Sequence, residues 1–196
     1  MSTSKPIDLD HIALAAEHAW DNFDRYRGDL GGAWIAGTPA PGFYWGQVRF
    51  ANGMIVEMLE PANVELDDFL ERFLARSGAG PHHLTFKVPD IQVTMDAATA
   101  AGYPPVRSNL EDDGWKEAFL HPKACHGIVV QLAQTPFADS SYEFPSPERA
   151  SVLPPARIAR PASFDRVVHL VASLDGALGL FRDLLGGRVD TDDRDR

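Results

Sequence analysis

One short pattern occurs twice in this chain, and its recurrence limits the folds open to it. Asp10-His11-Ile12-Ala13-Leu14-Ala15-Ala16 is repeated 72 residues later as His82-His83-Leu84-Thr85-Phe86-Lys87-Val88, entered through Gly80-Pro81. Both stretches read as strands bounded by turn residues. Side chains on a strand alternate between its two faces. In the second copy His82, Leu84, Phe86 and Val88 share a packing face, leaving His83, Thr85 and Lys87 on the other. In the first copy Ile12, Leu14 and Ala16 form the apolar face, and His11, Ala13 and Ala15 oppose it. Two strands therefore each open with a histidine directed away from the packing face, towards an expected cavity.

The segments after these two strands repeat as well. Beyond the strand at 9–16, His18 to Leu30 carries Trp20, Phe23, Tyr26 and Leu30 at helical spacing, and Gly31-Gly32 ends the run. Residues 33–48, rich in Gly, Pro and aromatics, read as an irregular strand and loop. Gln47–Phe50 and Met54–Leu59 form a hairpin about Asn52-Gly53. This is a βαβββ unit. A linking helix over 65–77 buries Leu66, Phe69, Leu70, Phe73 and Leu74. The second unit has a strand at 82–88 and a helix capped by Asp90 and stopped by Gly102. Strands near 104–108, 115–121 and 127–134 complete it.

The fold expected is α+β: paired βαβββ modules, about 8–61 and 80–134, forming a cupped mixed sheet with helices outside. Together they make a domain spanning 1–134. Six prolines over 135–162 mark a linker. Residues 163–196 begin a partial third module. At an offset of 155, Asp10 matches Asp165, Leu30 matches Leu185 and Gly31-Gly32 match Gly186-Gly187. Arg166 stands at the histidine position. This βα piece is expected to be a truncated module or one that docks on another chain or on the main domain.

The net charge of −10, with no basic run, argues against nucleic-acid and anionic-membrane partners. The single cysteine, Cys125, rules out an internal disulfide framework and fits a reducing compartment. No apolar run approaches the roughly 20 residues that span a bilayer, and no signal pattern opens the chain. A cytoplasmic location is expected.

Each module offers two candidate metal ligands, one on its first strand and one on its last. The first gives His11 and Glu57, from Met54-Ile55-Val56-Glu57-Met58-Leu59, and the second His83 and Gln131, from Ile128-Val129-Val130-Gln131-Leu132. Glu57 and Gln131 interrupt apolar strands at equivalent places. A carboxylate is costly to bury unless paired or metal-bound. Two imidazoles, a carboxylate and an amide oxygen suit a divalent transition metal, and two histidines with one carboxylate suit non-haem Fe(II). His82 is expected to pack or to support the site rather than to ligate, and Glu60 is expected to be solvated. Cys125-His126 lacks an orienting partner for nucleophilic work. Phe43, Tyr44 and Trp45 suit either a core or an apolar substrate wall.

The order Asp-His-Ile-Ala-Leu, Val-Glu-Met-Leu-Glu-Pro, His-His-Leu-Thr-Phe-Lys-Val-Pro-Asp, Phe-Leu-His-Pro-Lys over residues 8–134 resembles the vicinal oxygen chelate superfamily. The glyoxalase-like and methylmalonyl-CoA epimerase-like members are the nearest. The resemblance implies one divalent ion (Zn, Co, Ni, Mn or Fe) held by His11, Glu57, His83 and Gln131, with Glu57 as a loosening ligand that acts as base. It also implies a small-molecule substrate and a homodimer. Two departures set this chain apart from the epimerases. Gln131 stands where they carry Glu, and Phe43-Tyr44-Trp45-Gly46-Gln47-Val48 lacks their acidic residue. The expected function is a metal-dependent lyase or isomerase that takes a small oxygenated or acyl-thioester substrate through an enolate. The alternatives are an Fe(II) dioxygenase and a non-catalytic small-molecule binder. For a CoA ester, Arg107, Lys116 and Lys123 are the available cations.

Overall fold

A computed structural model describes residues 6–136 and 153–190. The linker residues 137–152 and the tail from 191 lie outside the described residues. The chain divides into two compact units. One holds residues 10–84 with 153–167, and the other holds 6–9, 85–136 and 168–190.

In the first unit, β1 (Asp8–Ala15, from Asp10 on) runs parallel to β4 (Ile55–Pro61), with Ala13 opposite Glu57. β2 (Ala33–Ala40) and β3 (Phe43–Arg49) pair antiparallel, and β3 pairs antiparallel with β4. The sheet is therefore mixed, in the order β2-β3-β4-β1 with the first half of β5 (Gly80–Lys87) next. The hairpin forms where Asn52-Gly53 places it. Gly53 has φ +88, the left-handed region open to glycine, and Gln47 faces Glu57 across the ladder. The segment read as irregular strand and loop is instead two full strands, with a bulge between Trp34 and Ala36. Close backbone approach explains the glycines there: a Cβ on Gly37 would stand 2.6 Å from the Trp45 carbonyl oxygen.

Between β1 and β2 the expected helix is present but unevenly wound. A 3₁₀ turn covers Ala19–Asn22 and a π-helical stretch covers Asp24–Asp29. The aromatic face is real, with Phe23 fully buried between Trp20 and Trp34 at ring separations of 4.9 and 5.6 Å. Glu60, expected in solvent, accepts the Trp20 backbone N–H at 3.2 Å and so satisfies a helix-start donor. Helix α1 (Phe69–Ser77) is shorter than the spacing predicts, and buries Leu70 and Leu74 against Ala13, Ala15 and Leu59. Phe43 and Trp45 join this cluster, so they serve the core.

In the second unit, the remainder of β5 is followed by β8 (Val129–Gln134), β7 (Lys116–Leu120) and β6 (Pro105–Asn109), with β8-β7 and β7-β6 antiparallel. Asp90 caps α2 (Ile91–Ala100) by accepting the Val93 N–H at 3.0 Å. The described residues thus form two successive βαβββ modules, an α+β fold as expected. The third βα piece is partly realised. Helix α3 (Leu174–Leu178), capped by Ser173, runs on as a π-helical stretch to Leu184. Leu180 and Leu185 are buried with Val88, Ile91, Ala98, Leu120 and Leu132. The strand expected at 164–168 forms no ladder.

Residues 153–162 do more than link. The Arg157 backbone N–H donates to Gly28 O at 2.8 Å, and its guanidinium reaches Asp24 and Asp29. Proline removes donors and fixes φ, which excludes helix and sheet but not an extended strap against a surface.

Candidate metal centre

β1, β4 and β5 bring one side chain each to a common point in the first unit. His11, Glu57 and His83 are all buried, and one donor atom from each lies within 4.8 Å of the others. Glu57 Oε2 stands 3.7 Å from His11 Nε2 and 3.6 Å from His83 Nε2. The two imidazoles meet edge to face, with centroids 5.6 Å apart. Such N···O separations are too long for hydrogen bonds. They are slightly wider than the roughly 3–3.5 Å edge of a coordination shell with bonds of about 2.1 Å. Two imidazole nitrogens and one carboxylate oxygen, buried and converging, are compatible with a divalent metal ion.

The sheet geometry explains the convergence. Residues directly opposite on neighbouring strands share a face, so Ala13 opposite Glu57 places His11, two residues back on β1, on the Glu57 face. The register of β3 adds Gln47, whose Nε2 donates to Glu57 Oε1 at 2.9 Å. One Glu57 oxygen is thereby held, and the other faces the histidines. Each histidine is also tied at Nδ1. Asp10 Oδ2 lies 2.8 Å from His11 Nδ1, and His82 Nδ1 lies 2.8 Å from His83 Nδ1. Because an ionised carboxylate only accepts, His11 donates from Nδ1 and, in the neutral ring, keeps its lone pair at Nε2. Burial lowers the His82 pKa to about 4, so that ring is neutral at pH 7.

Gln131 lies in the second unit with partners of its own. Its Oε1 accepts from Thr85 Oγ1 at 2.5 Å, and its Nε2 donates to Glu117 Oε2 at 2.7 Å. Trp115 Nε1 also donates to Glu117, at 3.2 Å. Burial raises the Glu117 carboxyl above the ordinary range, against the lowering effect of these two hydrogen bonds. Lys116 pairs with Asp113 at 3.1 Å. Cys125 is fully enclosed and its thiol is pushed up to about 12 by burial, so it is no nucleophile at neutral pH.

Sequence reasoning missed Gln47, Asp10, Thr85 and Glu117. For Gln47 a signal existed. A hairpin closed at Asn52-Gly53 fixes which β3 residue faces Glu57. Asp10 also repeats with the histidine motif, as its equivalent is His82.

Comparison with known proteins fits this architecture. A hypothetical protein of Bacillus halodurans C-125 superposes with a TM-score of 0.61 at 22% identity, covering 68% of this chain and 98% of its own. A methylmalonyl-CoA epimerase of Streptomyces coelicolor, solved as a complex with 2-nitronate-propionyl-CoA, gives 0.58 at 23%, covering 66% and 97%. The methylmalonyl-CoA epimerase of Mycobacterium tuberculosis gives 0.59 at 18%, covering 78% and 97%. No curated protein sequence matches the chain. The sequence profile described as "Glyoxalase/Bleomycin resistance protein/Dioxygenase superfamily" matches residues 10–119, which contain His11, Glu57 and His83, and the chain belongs to that superfamily.

Proposed function

We propose that this chain is a metal-dependent lyase or isomerase that removes a proton beside a carbonyl of a small oxygenated or acyl-thioester substrate. The observation that carries this reading is the buried His11–Glu57–His83 group. These three side chains would hold the ion. A divalent ion bound there supplies Lewis-acid polarisation of a substrate oxygen, an effect of several kcal/mol on a developing negative charge.

The chain's own residues do the rest. Asp10 orients His11. Gln47 donates to Glu57 Oε1 and leaves Oε2 as the oxygen facing the histidines. Glu57 is the carboxylate of this group and is assigned as the general base, taking the substrate proton at Oε2. Burial of all three side chains excludes bulk water, which strengthens each electrostatic contact. We propose Gln131 separately as a fourth ligand. Gln131→Ala tests it through metal affinity, and an unchanged affinity removes it.

The test begins with metal content. Protein purified without added metal is expected to hold near one divalent ion per chain, lost in His83→Ala prepared identically. Solvent deuterium is then expected to enter acyl-thioester substrates beside the carbonyl, with Glu57→Gln slowing exchange by roughly 10²-fold or more. Glu57→Gln at native rate with metal retained ends the base assignment. No metal in the native protein after reconstitution ends the whole reading.

A second reading rests on the same three residues, because two histidines and one carboxylate form the set used by Fe(II) oxygenases. It predicts oxygen uptake that depends on iron, with Zn inert.

A further inference from the structure

The residue preceding each histidine of the group is its anchor, and the two anchors differ in kind. Asp10 and His82 occupy equivalent places in the repeat, 72 residues apart, and each sits 2.8 Å from the Nδ1 of the next residue. Asp10 is an anion that only accepts. His82 is an imidazole, able to accept or donate according to where its hydrogen lies. Two neutral imidazoles with Nδ1 atoms 2.8 Å apart share a single hydrogen along that line.

We infer that His82 is a positioning residue that accepts this hydrogen, holding His83 as the Nδ1–H tautomer with its Nε2 lone pair turned towards Glu57 and His11. The inference rests on the metal reading above for its purpose, but its geometry stands apart from it. Two observations favour His82 as acceptor, and a third fixes the direction of its ring. If His83 Nε2 carried the hydrogen, the buried Glu57 carboxylate would draw it to hydrogen-bond distance, yet Oε2 stands 3.6 Å away. The equivalent anchor, Asp10, fixes His11 in the same tautomer, so both rings present the same edge to the group. The His82 ring is itself clamped. Phe73 meets it edge-on at 4.7 Å and Phe69 at 5.8 Å, and Phe69 rests on Phe43 at 5.4 Å. A ring held on α1 in this way fixes the direction of its Nδ1 lone pair and transmits that direction to His83.

The two anchors also differ in effect. The carboxylate behind His11 strengthens that imidazole as a donor, while the neutral ring behind His83 orients without adding charge. Partners of this kind typically change metal affinity by 10–100-fold when removed.

The tautomers are read directly from long-range ¹H–¹⁵N spectra of the metal-free native protein at pH 7. His83 is expected to be protonated at Nδ1 and bare at Nε2, with His82 Nδ1 bare. His83 protonated at Nε2 overturns the inference without any variant. Metal affinity, measured by competition with a chelator, gives the second readout. His82→Phe, which keeps an aromatic ring beside Phe73, is expected to weaken binding by roughly 10–100-fold. His82→Asn, which returns an acceptor oxygen, is expected to recover most of that loss. Native affinity in a folded His82→Phe overturns the positioning role. A native protein that binds no metal overturns the metal reading instead, and the tautomer spectrum separates the two failures.

Discussion

At the scale of single residues, the group at His11, Glu57 and His83 depends on what holds each side chain as much as on the ligands themselves. Asp10 supplies both orientation and negative charge to His11. Asp10→Asn keeps the shape and removes the charge, and is expected to lower metal affinity by about 10-fold or more. Chelator competition measures it, and an affinity equal to native would show that the Asp10 charge does not tune His11. Cys125 illustrates the opposite case, a reactive residue type made inert by its surroundings. With its thiol pushed up to about 12 by burial, almost none is thiolate at pH 8. An aromatic disulfide reagent is expected to find no thiol in the native protein and one per chain in guanidinium. Fast labelling of the native protein at pH 8 contradicts this. The histidines were legible in the sequence because they repeat at fixed strand positions. Of their anchors, His82 was expected to pack or to support the site, while Asp10 was not read, because a hydrogen bond between neighbouring side chains depends on rotamers that no spacing encodes.

At the scale of elements, α1 joins the site to the core. One side of it presents Leu70 and Leu74 to Ala13, Ala15 and Leu59, and another presents Phe69 and Phe73 to His82. The small alanines on β1 let the helix approach closely, so a shortened side chain on α1 leaves a void with little to fill it. Leu70→Ala is expected to cost about 2–5 kcal/mol of stability, measured by denaturant unfolding. A loss under 1 kcal/mol would mean that α1 closes onto the gap. Periodicity marked this helix and its buried stripe, but set its start too early. Residues 65–68 lie outside it, and the Phe69 N–H is met by Asp67 Oδ1 at 3.1 Å. The uneven winding of the segment before β2 was beyond periodicity as well, since 3₁₀, α and π turns bury much the same aromatic face.

At the scale of the whole molecule, the C-terminal piece changes how the chain is understood. Leu180 is fully buried among Val88, Ile91, Leu120 and Leu132, although it lies beyond the proline-rich stretch. Leu180→Ala is therefore expected to destabilise the protein by about 2–5 kcal/mol in denaturant unfolding, a core-sized loss. An unchanged midpoint would make the segment an appendage. No helix among the described residues is long and apolar enough to cross a membrane. The sequence by itself determined the two βαβββ modules, the hairpin at Asn52-Gly53, the cap of α2 at Asp90 with its stop at Gly102, and which strand face carries His11 and His83. Alternation, periodicity and turn chemistry are local, and repetition of a local pattern survives without knowledge of the fold. Only the tertiary structure decided that Gln47 holds Glu57, that His82 rests between phenylalanines against His83, that Arg157 bridges Asp24 and Asp29, and that Leu180 completes a core. Those contacts join residues whose distance along the chain carries no information about their distance in space, and packing alone selects among them.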